Sequence, residues 1–71
     1  MLSNKTFDKL EPGSKMTVSP LLEGITHEPV EMVVEERVDA DQIKVRLVFF
    51  GIKIARCSIS RVSGQFQWRF A

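Results

Sequence analysis

The fold of this chain is decided by residues 30–51, which read VEMVVEERVDADQIKVRLVFFG. Apolar residues recur at every second position on both sides of a polar stretch at 39–42. A period of two is typical of β-strands that bury one face and expose the other. The runs 30–38 and 43–50 therefore predict an antiparallel β-hairpin with its turn at 39–42.

The expected register opposes Val38 to Ile43 and gives the hairpin one continuous apolar inner face. On the outer face it sets Glu35 against Arg46, a favourable cross-strand pair worth about 0.2–1 kcal/mol. It also leaves Arg37 facing Lys44. The predicted inner-face pairs are Val38–Ile43, Val34–Leu47 and Met32–Phe49.

Turn signals divide the rest of the chain into short strands, and residues 1–11 precede them as an arm or a short helix. After a tight turn at Phe50-Gly51, we expect Ile52 opposite Phe49 and Ile54 opposite Leu47. The apolar phase then slips by one residue, which predicts a β-bulge near Ala55-Arg56. The remaining turns and strands are expected at Pro12-Gly13, 15–18, Ser63-Gly64 and 65–70.

Length and strand count together set the expected architecture. A chain of 71 residues suffices for one domain, 1–71, in which 12–71 form the β-structure. Five short strands predict an all-β fold, either a small SH3-like or OB-like barrel or a strongly bent antiparallel sheet that protects its edges. A core this small leaves a thin stability margin, so we expect homo-oligomerisation.

The charges are divided along the chain. All nine acids and four bases lie in residues 1–41, which carry −5, whereas 42–71 hold six bases and no acid and carry +6. One interpretation is a basic face that tracks the phosphates of a nucleic acid. The other is mutual neutralisation by adjacent strands, which a net charge of +1 favours. The candidate anion contacts are Lys44, Arg46, Lys53, Arg56, Arg61 and Arg69, of which the last four are expected to be unpaired.

Apolar residues also lie on the outer face of the predicted hairpin, which should be exposed to solvent. Val33, Val48 and Phe50 become neighbours in the expected register, and exposed apolar clusters mark interfaces. The alternative is that the N-terminal helix or the 19–28 loop covers them. The row of Phe66, Trp68 and Phe70 is expected in the core, although it could also be a strand that a neighbouring subunit receives.

Residues typical of catalytic, metal or cofactor sites do not assemble in the sequence, and no enzyme activity is expected. His27 is the only histidine and is interpreted as a solvated loop residue and not as a zinc ligand. Cys57 is interpreted as a small core residue and not as a nucleophile. A single cysteine also excludes an intramolecular disulfide and fits a reducing compartment. No run approaches the roughly 18–20 apolar residues of a membrane span, and the first residues lack a secretory signal. We therefore expect a cytoplasmic protein without membrane contact.

The layout over residues 12–62 resembles the KOW-type SH3-like barrel at the C-terminus of NusG-like bacterial transcription elongation factors. The resemblance implies binding to a ribosomal or transcription protein, or to RNA. The chain departs from that pattern in lacking the polymerase-contacting N-terminal domain, in His27-Glu28-Pro29 where a glycine commonly sits, and in adding 65–70. The matching stretches are Pro12–Val18 (PGSKMTV), Pro20–Gly24 (PLLEG), Val30–Val38 and Ile43–Gly51.

Taken together, the sequence predicts a non-catalytic interaction module that binds protein, most simply a second copy of itself. The contact would be the face of Val33, Val48 and Phe50 or an open strand edge. The alternative is a small RNA- or single-stranded-DNA-binding barrel with a regulatory role.

Overall fold

The computed structural model describes residues 2–71, which form one short helix and seven strands. All strand pairs are antiparallel. The all-β prediction is confirmed, and of the two alternatives for the N-terminal residues, an arm or a short helix, the structure has the helix. The elements are α1 (Asn4–Lys9), β1 (Lys15–Val18), β2 (Leu21–Leu22), β3 (Ile25–Thr26), β4 (Val30–Asp39), β5 (Gln42–Phe49), β6 (Lys53–Val62) and β7 (Gln65–Phe70).

The five longer strands form one sheet in the order β1-β4-β5-β6-β7, and β2 and β3 form a separate two-stranded sheet. Strands β4 to β7 follow one another through tight turns, so chain neighbours are also sheet neighbours. Within residues 2–71, β1 and β7 occupy the two edges and do not pair with each other. The sheet of the described residues is therefore open.

The predicted register of the first hairpin is correct only beside its turn, where Asp39 pairs with Gln42. Two register shifts in β4 follow, one between Val34 and Glu36 and one between Arg37 and Asp39. Each leaves one residue of β4 without a partner, as a β-bulge does. The predicted pairs Val38–Ile43, Val34–Leu47 and Met32–Phe49 are consequently wrong, and the observed pairs are Arg37–Ile43, Val34–Val45 and Met32–Leu47.

These bulges redirect the side chains between them. Arg37, expected on the outer face opposite Lys44, pairs with Ile43 on the core side and is half-buried. Val38, expected in the core, is 43 % exposed. A bulge changes the phase of the alternation by one residue, which is why a strict period of two assigns both residues to the wrong face.

The pairing of β5 with β6 is regular, so the predicted bulge near Ala55-Arg56 is wrong. The turn is one residue longer than expected, because Phe49 pairs with Lys53 and the Ile52 amide donates to the Phe49 carbonyl at 3.1 Å. This extra residue moves Ile54 out of the core. It also accounts for the one-residue shift in the apolar pattern, for which a bulge was predicted.

The core lies on one side of the main sheet and is closed by the helix. Six residues are too few for a stable isolated helix, but Ser3 caps its N-terminus by accepting from the Thr6 amide at 3.1 Å, and Phe7 is fully buried. The half-buried side chains of Phe66, Trp68 and Phe70 pack against the core from β7. The buried cluster comprises Phe7, Leu10, Val18, Val30, Met32, Val34, Ile43, Val45, Leu47, Phe49, Cys57 and Ile59.

Candidate functional site

The outer face of the main sheet, opposite the core, collects most of the predicted basic residues. Directly paired residues of antiparallel strands point to the same face. One row across the sheet is Lys15–Val33–Arg46–Arg56, and the next is Glu36–Lys44–Ser58–Arg69. Four of the six candidate anion contacts therefore share this face: Lys44, Arg46, Arg56 and Arg69.

The other two bases lie on the core side. Lys53 pairs with Phe49, and Arg61 pairs with Phe66. The Arg61 guanidinium contacts the carboxylates of Asp8 at 2.7 Å and Asp41 at 3.0 Å, and its side chain is only 17 % exposed. The hydrogen bonds that Arg61 donates to these carboxylates, first to Asp8 and then to Asp41, raise the pKa of Arg61 above its usual value. The prediction that Arg61 is an unpaired base is wrong, because Arg61 pairs with both carboxylates. Its contact with Asp8 connects the helix to the sheet.

The charges on the outer face are poorly compensated. Arg46 and Arg56 oppose each other directly, and like charges in that position are destabilising. Glu35, predicted to face Arg46, instead approaches Arg56, with 3.8 Å between Oε1 and Nε. The Arg56 side chain is 74 % exposed, so this pair is worth no more than about 1 kcal/mol. Among residues 2–71, no ion pair reaches Lys44, Arg46 or Arg69.

Two of the shallow hollows on this face differ in charge. One of about 490 Å³ has Glu35 and Glu36 on its wall together with Lys44 and Arg56. The other, of about 410 Å³, contains no acidic residue. It is lined by Gln42, Ser58, Ser60, Val62, Gln67, Trp68 and Arg69.

The three residues of the predicted apolar interface differ in exposure. Val33 is 9 % exposed, since Lys15 and Arg46 flank it across both neighbouring strands, so its assignment to an exposed surface is wrong. Val48 is half-buried between Glu31 and Ile54. Phe50, by contrast, is 78 % exposed.

A hydrophobic tip, defined as Phe50, Ile52 and Ile54, ends the β5–β6 hairpin. Ile52 is 86 % and Ile54 59 % exposed, and the sequence interpretation missed both because it placed them in the core. The signal that could have found them is the apolar phase slip after residue 54, which a longer turn explains as well as a bulge does. Three large apolar side chains are thus exposed within five residues.

Phe50 occupies its turn in an unfavourable conformation. Its φ is +54°, followed by +75° at Gly51. Consecutive positive φ values are typical of type I′ hairpin turns, where Asn-Gly is preferred and a bulky side chain is strained. Phe50 therefore combines backbone strain with exposure of an aromatic ring.

An apolar hollow of about 270 Å³ lies beside Phe50. For comparison, an apolar cavity of about 150 Å³ holds a benzene ring. His27 forms part of its wall, half-buried and edge-on to Phe49 with 5.1 Å between ring centroids, and is not the solvated loop residue expected. The lining residues are Leu22, His27, Phe49, Phe50, Lys53, Ala55 and Phe70.

Cys57 lies on β6 with its side chain in the core. The residue is 4 % exposed, and burial raises the pKa of the thiol to about 11, against the opposing effect of a hydrogen bond from the Arg69 backbone. The nucleophilic thiolate is therefore scarce near neutral pH. In the described part of the chain, no group of three or more His, Cys, Asp or Glu residues is arranged to hold a metal ion.

The raised pKa of Cys57 predicts a loss of stability in alkali. The folded state holds the thiol proton more tightly than the unfolded chain, whose pKa is near 9, so its contribution is complete below pH 9 and is lost as the pH rises towards 11. We expect a decrease of about 2 kcal/mol over this range, measured by urea denaturation. Cys57→Ala should lack this component, and equal pH profiles for the two proteins would contradict the expectation.

Comparisons of the chain with protein-family models, with curated proteins and with solved structures find no match. The resemblance to NusG-like elongation factors stays a prediction. Over residues 2–71, the structure contains no helix with the length and apolar character needed to span a membrane.

Proposed function

We propose that this protein is a non-catalytic interaction module that associates with a second copy of itself through the hydrophobic tip. The observation that carries the proposal is the exposure of Phe50, Ile52 and Ile54 at the end of one hairpin. Apolar patches of this kind mark contact surfaces. Burying them would also add to the thin stability margin of a small domain.

The strain at Phe50 supports a role beyond folding. Asparagine at this position would relieve the positive φ and remove an exposed ring, so folding alone favours its replacement. Strained residues at exposed positions cluster at functional sites. The aromatic ring is therefore assigned to contact with a partner.

The hollow beside Phe50 identifies a second copy as the occupant. A two-fold dimer needs a patch that is complementary to itself. Here a projecting aromatic side chain adjoins an apolar hollow large enough for a ring, so each tip supplies both halves of the contact. In the dimer, Phe50 of each subunit enters the hollow of the other.

We assign the open sheet to the small SH3-like class. The consecutive strands β4 to β7 and the separate β2–β3 hairpin after β1 support this assignment. We also place the protein in the cytoplasm, because its buried cysteine suits a reducing compartment.

Replacing Phe50 with asparagine tests the proposed dimer. Size-exclusion chromatography with light scattering should find the wild type above the monomer mass of 8.1 kDa at high micromolar concentration. Phe50→Asn should weaken association at least tenfold and leave the melting temperature of the monomer unchanged or higher, because the turn is relieved. Val62→Thr removes an exposed aliphatic residue at the far end of β6 and should change neither property.

A wild type that stays monomeric at millimolar concentration would exclude self-association. Retention of the oligomer by a folded Phe50→Asn variant would exclude the tip as its contact.

A further inference from the structure

We propose that the outer face of β5, β6 and β7 is a second binding site, which holds an extended single strand of nucleic acid through its phosphates. The site is distinct from the hydrophobic tip. Its residues share one face by strand register, so the proposal does not depend on self-association.

The charge of this face is complementary to that of a polyanion. Strands β5 to β7 contain no acidic residue, and their outer face carries the four bases Lys44, Arg46, Arg56 and Arg69. The acids Glu31 and Glu36 lie on the neighbouring strand β4, so the positive charge of this face lies on β5, β6 and β7. A polyanion is the partner that such a face attracts.

The bases of this face are also arranged in a way that favours a bound anion. Arg46 and Arg56 repel each other across the strands, and the 3.8 Å contact from Glu35 offsets little of that repulsion. A phosphate between them would convert a destabilising pair into two charge-assisted hydrogen bonds. Without a bound anion, the positive charges of this face are therefore poorly compensated.

The shape of the face suits an extended chain. The acid-free hollow of about 410 Å³ runs beside Ser58 and Ser60, with Gln42 on one side and Gln67 and Arg69 on the other. Alternate residues on a strand are about 7 Å apart, and adjacent strands are about 4.8 Å apart. Hydroxyl, amide and guanidinium donors are therefore spread along the path of a backbone rather than focused on one small anion.

A single strand fits better than a duplex or an acidic peptide. Among the described elements, the only helix has six residues and lies on the core side, so no helix is available to enter a major groove. The outward-facing residues of β5 to β7 also include no aromatic residue, since Phe66, Trp68 and Phe70 pack against the core, and of these only Trp68 also borders the hollow. Recognition would therefore rest on phosphates and be independent of base sequence.

Fluorescence anisotropy with labelled 20-mers of oligo-dT and oligo-U tests the site between 20 and 200 mM NaCl. Four phosphate contacts predict a slope of about −2.8 in log K against log salt, since each contact to a single strand contributes about −0.7. Arg69→Gln should reduce the slope by about 0.7 and weaken binding several-fold at 20 mM salt. Lys5→Gln removes the same charge from an exposed site on α1, on the core side of the sheet, and should leave the slope unchanged.

Glu35→Gln provides a gain-of-binding test, because it frees Arg56 from its competing carboxylate. We expect binding two- to threefold tighter than that of the wild type. A stability role for Glu35 alone would not produce this increase.

The proposal is overturned if neither oligonucleotide binds at 20 mM salt, if Arg69→Gln and Lys5→Gln weaken binding equally, or if duplex DNA or polyglutamate binds more tightly than the single strands. Repeating the titration with Phe50→Asn separates the two sites. Loss of self-association with retained oligonucleotide binding supports both, whereas oligonucleotide binding that needs Phe50 contradicts an independent basic site.

Discussion

Phe7→Ala is expected to lower the free energy of unfolding by about 3–5 kcal/mol, the usual cost of removing a buried phenylalanine. Phe7 is fully buried, and its ring centroid lies 5.1 Å from that of Phe66. The guanidinium carbons of Arg37 and Arg61 lie 5.0 and 4.9 Å from the same ring centroid. Alanine would leave a cavity and remove both cation–π contacts, each worth about 0.5–2 kcal/mol.

Urea denaturation followed by Trp68 fluorescence measures this loss. Leu21→Ala is the matched control, because Leu21 is a large apolar residue that is 44 % exposed, and its replacement should cost about 0.5 kcal/mol or less. A loss below about 1 kcal/mol for Phe7→Ala would mean that the helix contributes little to the fold.

Arg37→Met is expected to cost about 2–3 kcal/mol and to lower the melting temperature by roughly 10–20 °C. The Arg37 guanidinium donates to the Leu10 carbonyl at 2.8 and 3.0 Å and to the Phe7 carbonyl. It also donates to the carbonyls of Asp39 and Ala40 at 3.2 and 3.3 Å. Methionine keeps an apolar stem but leaves the carbonyls at the helix end without these donors.

Thermal unfolding of Arg37→Met and Arg37→Lys separates charge from geometry. Lysine keeps the positive charge but lacks the planar fork that reaches several carbonyls at once, so it should recover less than half of the lost stability. Full recovery by lysine would show that Arg37 acts through its charge alone.

The period-two pattern was enough to predict the strands, their antiparallel pairing and the buried β5 face. It failed at three local features: the bulges at Glu35 and Val38 and the longer turn at Ile52. The alternation of apolar and polar residues shows which residues of a strand prefer burial. A single unpaired residue turns the following residues to the opposite face, and the amino-acid composition of the strand gives no sign of it. The side of the sheet on which Arg37 lies therefore depends on tertiary contacts with the helix.

The candidate surfaces were predicted in the same uneven way. The charge division along the sequence located the bases of the outer face, because β5, β6 and β7 are adjacent and Lys44, Arg56 and Arg69 alternate in phase with their strands. The role of Arg61 depends on Asp8, which is 53 positions away in the chain, and no local pattern indicates that contact. Ile54 was missed since its exposure follows from the length of one turn.

The bulges of β4 have a geometric consequence. Between the pairs Glu31–Val48 and Asp39–Gln42, β4 uses nine residues where β5 uses seven. At about 3.3 Å per residue, β4 is roughly 7 Å longer than β5 over this part of the hairpin. Two paired strands of unequal length have to bend, and the bulges also increase their twist. The two unpaired residues of β4 thus make the core side of the open sheet concave. The Phe7 ring is enclosed on that side.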